Sequence, residues 1–193
     1  MMDPARSPRV RVWIWRLFSL VFFGQLGLGL LGFETFLMTG EVHLPVPALI
    51  LAGPAFRGGG LFMIVLFGVT VVLVGPAWCS HLCYIGAWDD AASRLRRKPG
   101  RMPAWRRGMH VALLAAVLLA ALGMRLAGVP GAAAAAAAGV FGLAGVGIMI
   151  LWSRRMGVMV HCTAWCPVGV AATWLGRISP FRVAIDEGCT RCG

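Results

Sequence analysis

Cys79-Ser80-His81-Leu82-Cys83-Tyr84-Ile85-Gly86 and Cys162-Thr163-Ala164-Trp165-Cys166-Pro167-Val168-Gly169 read as two copies of one device. Each follows a long apolar run. Each holds two thiols four residues apart, then Tyr or Pro, a β-branched residue and Gly. On a helix, residues i and i+4 share a face with Cβ atoms about 6 Å apart, so each pair can present two sulfurs to one partner. The copies are in register: Cys79 and Cys162, Cys83 and Cys166, Ile85 and Val168, and Gly86 and Gly169 are each 83 positions apart. A third pair, Cys189-Thr190-Arg191-Cys192, precedes Gly193, and the three pairs hold all six cysteines.

What surrounds these stretches is lipid-soluble. Hydrophobic residues make up 59% of the 193 positions and charged residues only 13%, which excludes an ordinary soluble domain. The net charge of +11 could suggest nucleic acid, but the basic residues flank apolar runs instead of lining an aromatic groove. Four spans are expected, at about residues 12–36, 58–80, 108–125 and 132–152. Arg6, Arg9, Arg11 and Arg16 precede the apolar run 17–33 of the first, which lacks a small-x-small cleavage site and reads as uncleaved. Residues 58–80 carry no charge and are long enough to cross. The seven alanines within the fourth favour close helix packing.

The connections set the orientation. Pro45, Pro47 and Pro54 break any span over residues 37–57, so an outer loop is expected there, partly re-entrant, with Glu41 and His43 as ordinary loop groups or part of an outer-face site. After the first Cys pair a short surface helix is expected, with Asp89 and Asp90 early and Arg94, Arg96, Arg97 and Lys98 late, complementing the helix dipole. Its basic residues, with Arg101, Arg106 and Arg107, place this loop in the cytoplasm, and Arg154 and Arg155 do the same for the end of the fourth span. Pro167 suits the first turn of a further helix over 168–177, and residues 181–187 alternate weakly, as a short strand or extended lead-in would. The expected architecture is an all-α integral membrane protein of four transmembrane helices. Residues 1–178 form two parallel-repeat helix hairpins, and both Cys motifs and both termini lie on the cytoplasmic side of the inner membrane.

At this level the chain resembles the membrane-bound polyferredoxins of the NapH, NosR and CcoG type. Those proteins have two C-x3-C-P motifs at the cytoplasmic face of a membrane domain, followed by C-x2-C-x2-C-x3-C-P ferredoxin boxes. Cys162 to Pro167 matches the motif fully, while Tyr84 stands where the first motif has Pro. Cys189 and Cys192 look like the first two thiolates of a ferredoxin box, so residues 179–193 resemble the beginning of a [4Fe–4S] ferredoxin segment. Alone they cannot close a four-thiolate site, and the expectation is that the box is truncated or completed elsewhere. The resemblance implies electron transfer between the membrane quinone pool and a redox partner, as a subunit of a redox system rather than a stand-alone enzyme.

Thiolates are soft ligands that favour Fe–S, Cu(I) or Zn. The candidate ligands are Cys79, Cys83, Cys162, Cys166, Cys189 and Cys192. The first four either bind one centre or act as redox thiols. Quinol chemistry also needs proton acceptors; His81 and His161 are the candidates, and an interfacial histidine without a task is the other reading. His110 reads as structural. A quinone-linked thiol–disulfide exchanger, a copper- or zinc-handling membrane protein and an inert anchor subunit are the competing classes. Membrane lipid, quinone and other redox subunits or a ferredoxin-like protein are the expected partners. Hydrolase motifs are absent from the sequence.

Overall fold

The computed structural model describes residues 7–36, 44–75, 77–96, 98, 100–102 and 104–180. Cys189, Cys192, the expected strand at 181–187, Glu41 and His43 lie outside the described residues. The described chain is helical throughout: α1 (Ser7–Leu30), a 3-10 turn (Glu34–Phe36), α2 (Leu49–Arg57), α3 (Phe62–Val74), a π turn (Trp78–Leu82), α4 (Tyr84–Ser93), α5 (Arg106–Leu126) and α6 (Gly131–Ile148). From α6 the helix runs through a π turn (Met149–Ser153) into α7 (Arg154–Met156), followed by a last π turn (His161–Trp165) and α8 (Pro167–Leu175).

Three of these helices are long and apolar enough to cross a membrane: Arg9–Leu30, Gly108–Leu126 and Gly131–Met156. Few residues of the α5 window are fully buried, so much of its apolar surface is left for lipid. The uncharged run at 58–80 behaves differently from the continuous span expected. Glycines with positive φ interrupt it, Gly58 at 71°, Gly60 at 75° and Gly75 at 61°, and leave a 13-residue α3 between them. That helix is about 20 Å long at 1.5 Å per residue, short of a hydrocarbon core of about 30 Å. The proline-rich segment forms no span; it contains the nine-residue α2, with Pro54 inside it, which packs on α5.

The packing follows the repeat. In the first half, α1 lies against the first π turn and α4; in the second, α5 lies against the second π turn and α8. The halves also exchange partners: α3 packs on α8, and the π turn ending α6 packs on α4. Phe67 and Val71 of α3 meet Val168 and Ala172 of α8 in one buried cluster. Burying a side chain of this kind contributes about 1.5–3 kcal/mol. This crossed arrangement draws the two Cys motifs toward each other.

Candidate metal centre

Neither C-x3-C motif is the regular α-helix its spacing suggests. The first cysteine of each pair sits in a π turn. The second breaks the helix with extended backbone and caps the next one: Cys83 (φ −77°, ψ 108°) precedes α4, and Cys166 (φ −78°, ψ 110°) precedes α8. The backbone amide of Cys83 donates to the Trp78 carbonyl at 3.0 Å and that of Cys166 to the His161 carbonyl at 2.8 Å, the same i to i−5 bond in both copies. This explains the rest of the shared pattern. The residue after the second cysteine occupies the first helical position, where Pro loses no intrahelical bond, and Pro167 fills it in α8. Tyr84 takes that position in α4 and spends its ring on α1, stacked on Phe22 with centroids 3.9 Å apart. The departure from Pro thus trades helix-start rigidity for an aromatic clamp.

The helix N-termini place amides at the sulfurs. The amides of Gly86 and Ile85 face the Cys83 thiol, and those of Gly169 and Val168 face Cys166; both pairs favour thiolate, as helix N-termini do. Burial outweighs them. It raises Cys83 and pushes Cys166 up to about 12, with the charges of neighbouring groups adding to the effect. Burial, then the Asp89 charge and the other thiols, raises Cys162 well above its ordinary value. These couplings report proximity: Cys162 feels Cys83 and Cys166, and Cys79 feels Cys83 and Cys166. Thiols from both halves therefore stand within electrostatic reach of one another. None is in a disulfide.

Asp89, expected on a solvated helix face, lies at the junction. It is fully buried, and its Oδ2 accepts the backbone N–H of Cys162 at 2.9 Å, tying α4 of the first half to the second motif. Its Oδ1 has no partner. Asp90, also buried, instead pairs with Arg94 at 2.7 Å. The repeat-equivalent of Asp89, 83 positions on, is Ala172, so this carboxylate belongs to one half only. Its lack of a repeat mate, and its place in a helix with a polar end, hid it from pattern reading.

The histidines separate. His81 stays half-buried beside its own neighbour, Nδ1 2.9 Å from Ser80 Oγ. His161 is buried, and neither ring nitrogen has a hydrogen-bond partner. Burial holds it toward the neutral form, against the Asp89 charge. Its ring sits over Gly145, where a Cβ would come within 2.6 Å of it. Together with Cys166, it borders an otherwise apolar cavity of about 300 Å3 that also touches Phe23, Val46 and Phe141. His110 of α5 hydrogen-bonds the Cys166 carbonyl through Nε2.

The donor set can be tested against an iron–sulfur cluster. Among the described residues, no three His, Cys, Asp or Glu side chains are placed to hold a single metal ion. Four soft donors that sense one another without closing on one ion suit a cubane cluster, whose thiolates bind separate irons, better than a single Zn or Cu(I). The residues fit the group.

In the iron-free chain the raised thiols make a direct prediction. A shift of Cys166 from 9.0 to about 12 leaves it about a thousandfold less thiolate than a free cysteine near neutral pH. Its alkylation should therefore climb about tenfold per pH unit from pH 8 to 11, and Cys79, also pushed up to about 12 but with its residue exposed, should climb in parallel at a higher rate. Mass spectrometry of maleimide-labelled peptides checks both. A Cys166 rate already flat above pH 9 would contradict the raised value.

No curated protein and no solved structure matches the chain. Residues 54–102 match the family model of a 4Fe-4S binding domain, a stretch that runs from α2 through α3, Cys79 and Cys83 to the loop beyond α4. Over that first half-site the chain is similar to a 4Fe-4S binding domain, and the second half-site repeats its backbone around Cys162 and Cys166.

Proposed function

We propose that this protein is a membrane-bound iron–sulfur electron-transfer protein of the NapH, NosR and CcoG-like kind. Cys79, Cys83, Cys162 and Cys166 hold one [4Fe–4S] cluster between its two halves. The observation that supports this most is the pair of N-cap cysteines with matching backbone, Cys83 and Cys166, each at the positive end of its own helix, with the Cys83 charge felt at Cys166. When bound, such a cluster takes up and gives up one electron at a time. The chain's own contribution is to supply four thiolates, to aim two helix N-termini at an anionic group, and to keep water away by burying Cys83, Asp89 and His161.

The finer reading follows the same residues. Arg94, Arg96, Lys98, Arg101, Arg106, Arg154 and Arg155 gather near the motif end of the bundle, which favours a cytoplasmic cluster in an inner membrane. In lipid, α3 serves as a fourth, short span, its length made up by local thinning. The cavity beside Cys166 and His161 is apolar enough for a quinone head, so the quinone pool is one electron partner and a redox protein at the basic face the other.

Anaerobically purified protein should contain iron and acid-labile sulfide in equal amounts and show the broad visible absorption of thiolate-to-iron charge transfer. Zinc or copper in place of iron, with no visible band, would sink the proposal in favour of metal handling.

A further inference from the structure

The two half-sites share a device that fixed-offset comparison of the sequence does not show. In the first half, Trp15 of α1 donates its Nε1–H to the carbonyl of Cys83 at 2.8 Å. In the second, His110 of α5 contacts the carbonyl of Cys166 through Nε2; because a carbonyl can only accept, Nε2 carries the proton. Both rings reach their carbonyl across a glycine. A Cβ on Gly86 would lie 2.7 Å from the Trp15 ring and 3.2 Å from the Cys79 carbonyl. A Cβ on Gly169 would lie 2.9 Å from the His110 ring and 3.1 Å from the Cys162 carbonyl. Different side chains, from different spans, therefore meet the same backbone atom over the same missing side chain.

The offset explains why the match is hidden. Trp15 is 64 positions before Cys79 (79 − 15), and His110 is 52 before Cys162 (162 − 110), a difference of 12. The first half holds the extra nine-residue α2, and the second half turns directly from α5 into α6.

We propose that Trp15 and His110 are equivalent positioning residues, each fixing the second cysteine of its motif by the backbone carbonyl, and that Gly86 and Gly169 recur because any side chain there would displace the ring. At Cys83 and Cys166 the chain switches from a π turn to an α-helix in one residue. An anchored carbonyl sets the backbone there and so sets where the sulfur points. The consequence for a cluster rests on the function proposed above; the anchoring itself does not.

The test uses the full chain in detergent, iron-free and iron-loaded. His110→Phe keeps the ring and deletes the donor, and His110→Gln keeps a donor. In the iron-free chain His110→Phe should speed alkylation of Cys166 by about five- to tenfold, the population shift expected from one lost hydrogen bond, and leave Cys79 unchanged. His110→Gln should stay within about twofold of the parent. Trp15→Phe and Trp15→His should divide in the same way at Cys83. Iron-loaded His110→Phe and Trp15→Phe should each show a changed electron paramagnetic resonance line shape. Should His110→Phe not fold, Gly169→Ala displaces the same ring by one methyl and reads the same rate. Equal acceleration by the Phe and Gln variants, or none by either, overturns the proposal. A parent chain that binds no iron yet shows the predicted alkylation pattern overturns the function and keeps the positioning.

Discussion

Replacing Cys162 with alanine should empty the site of iron, and replacing Cys83 in the other half should do the same. The two residues belong to different motifs, but the charge of Cys83 is felt at Cys162, and the crossed packing of α3 on α8 and of α4 on the end of α6 holds their segments together. Structural metal sites gather about 10–16 kcal/mol over four ligands, so one ligand is worth roughly 3 kcal/mol, or two orders of magnitude in occupancy. Iron per chain, measured after gel filtration, should fall to a few per cent in either variant (an order-of-magnitude figure from the same estimate). Half-retention of iron in each variant would mean two separate sites.

The second large effect belongs to Asp89. Asp89→Ala removes the acceptor for the Cys162 amide inside the protein and leaves that donor stranded, at a cost of about 1–3 kcal/mol. For a chain of this length the unfolding midpoint in detergent should fall by about 4–8 °C for 2 kcal/mol. Asp89→Asn keeps an acceptor oxygen and should lose much less. Its electrostatic effect goes the other way round: Asp89 opposes ionisation of Cys83, Cys162 and Cys166, so neutralising it lowers all three thiols and speeds their alkylation. With a cluster bound, removing this nearby negative charge should raise the midpoint potential. Potentiometric titration of the Asn variant checks the sign, and a lower potential would show that Asp89 does not act through its charge.

Much of the site could be read from spacing. The 83-residue repeat marked two motifs that the structure builds on the same backbone turn, and apolar runs placed three of the long helices, because hydrophobic length needs no tertiary context. What escaped depends on contacts between segments far apart in the chain. The C-x3-C spacing suggests an α-helical pair, but an i to i−5 bond and an abrupt extended residue at Cys83 and Cys166 set the actual geometry, and these answer to packing against α1 and α5. Asp89 looked like a dipole-complementing surface acid because nothing local distinguishes it from Asp90; only the approach of the second motif separates them. His110 looked structural for the same reason. The uncharged run at 58–80 promised a full span until three glycines with positive φ divided it.

The repeat also shows where the halves diverge. Trp15 and Trp78 serve the first half; their counterparts in the second are His110 and His161. Trp78 packs edge-on against Phe67 with centroids 4.8 Å apart, which closes that side, while His161 leaves both nitrogens unpartnered at the wall of the apolar cavity. In the second half, His161 and Cys166 border that cavity.

Convergence of the halves on one cluster is tested most directly by iron and sulfide stoichiometry in the full chain carrying Cys189→Ser and Cys192→Ser. The expected result is about four iron and four sulfide per chain, as one [4Fe–4S] cluster requires. Two irons per chain, or none, in protein that remains folded would contradict it.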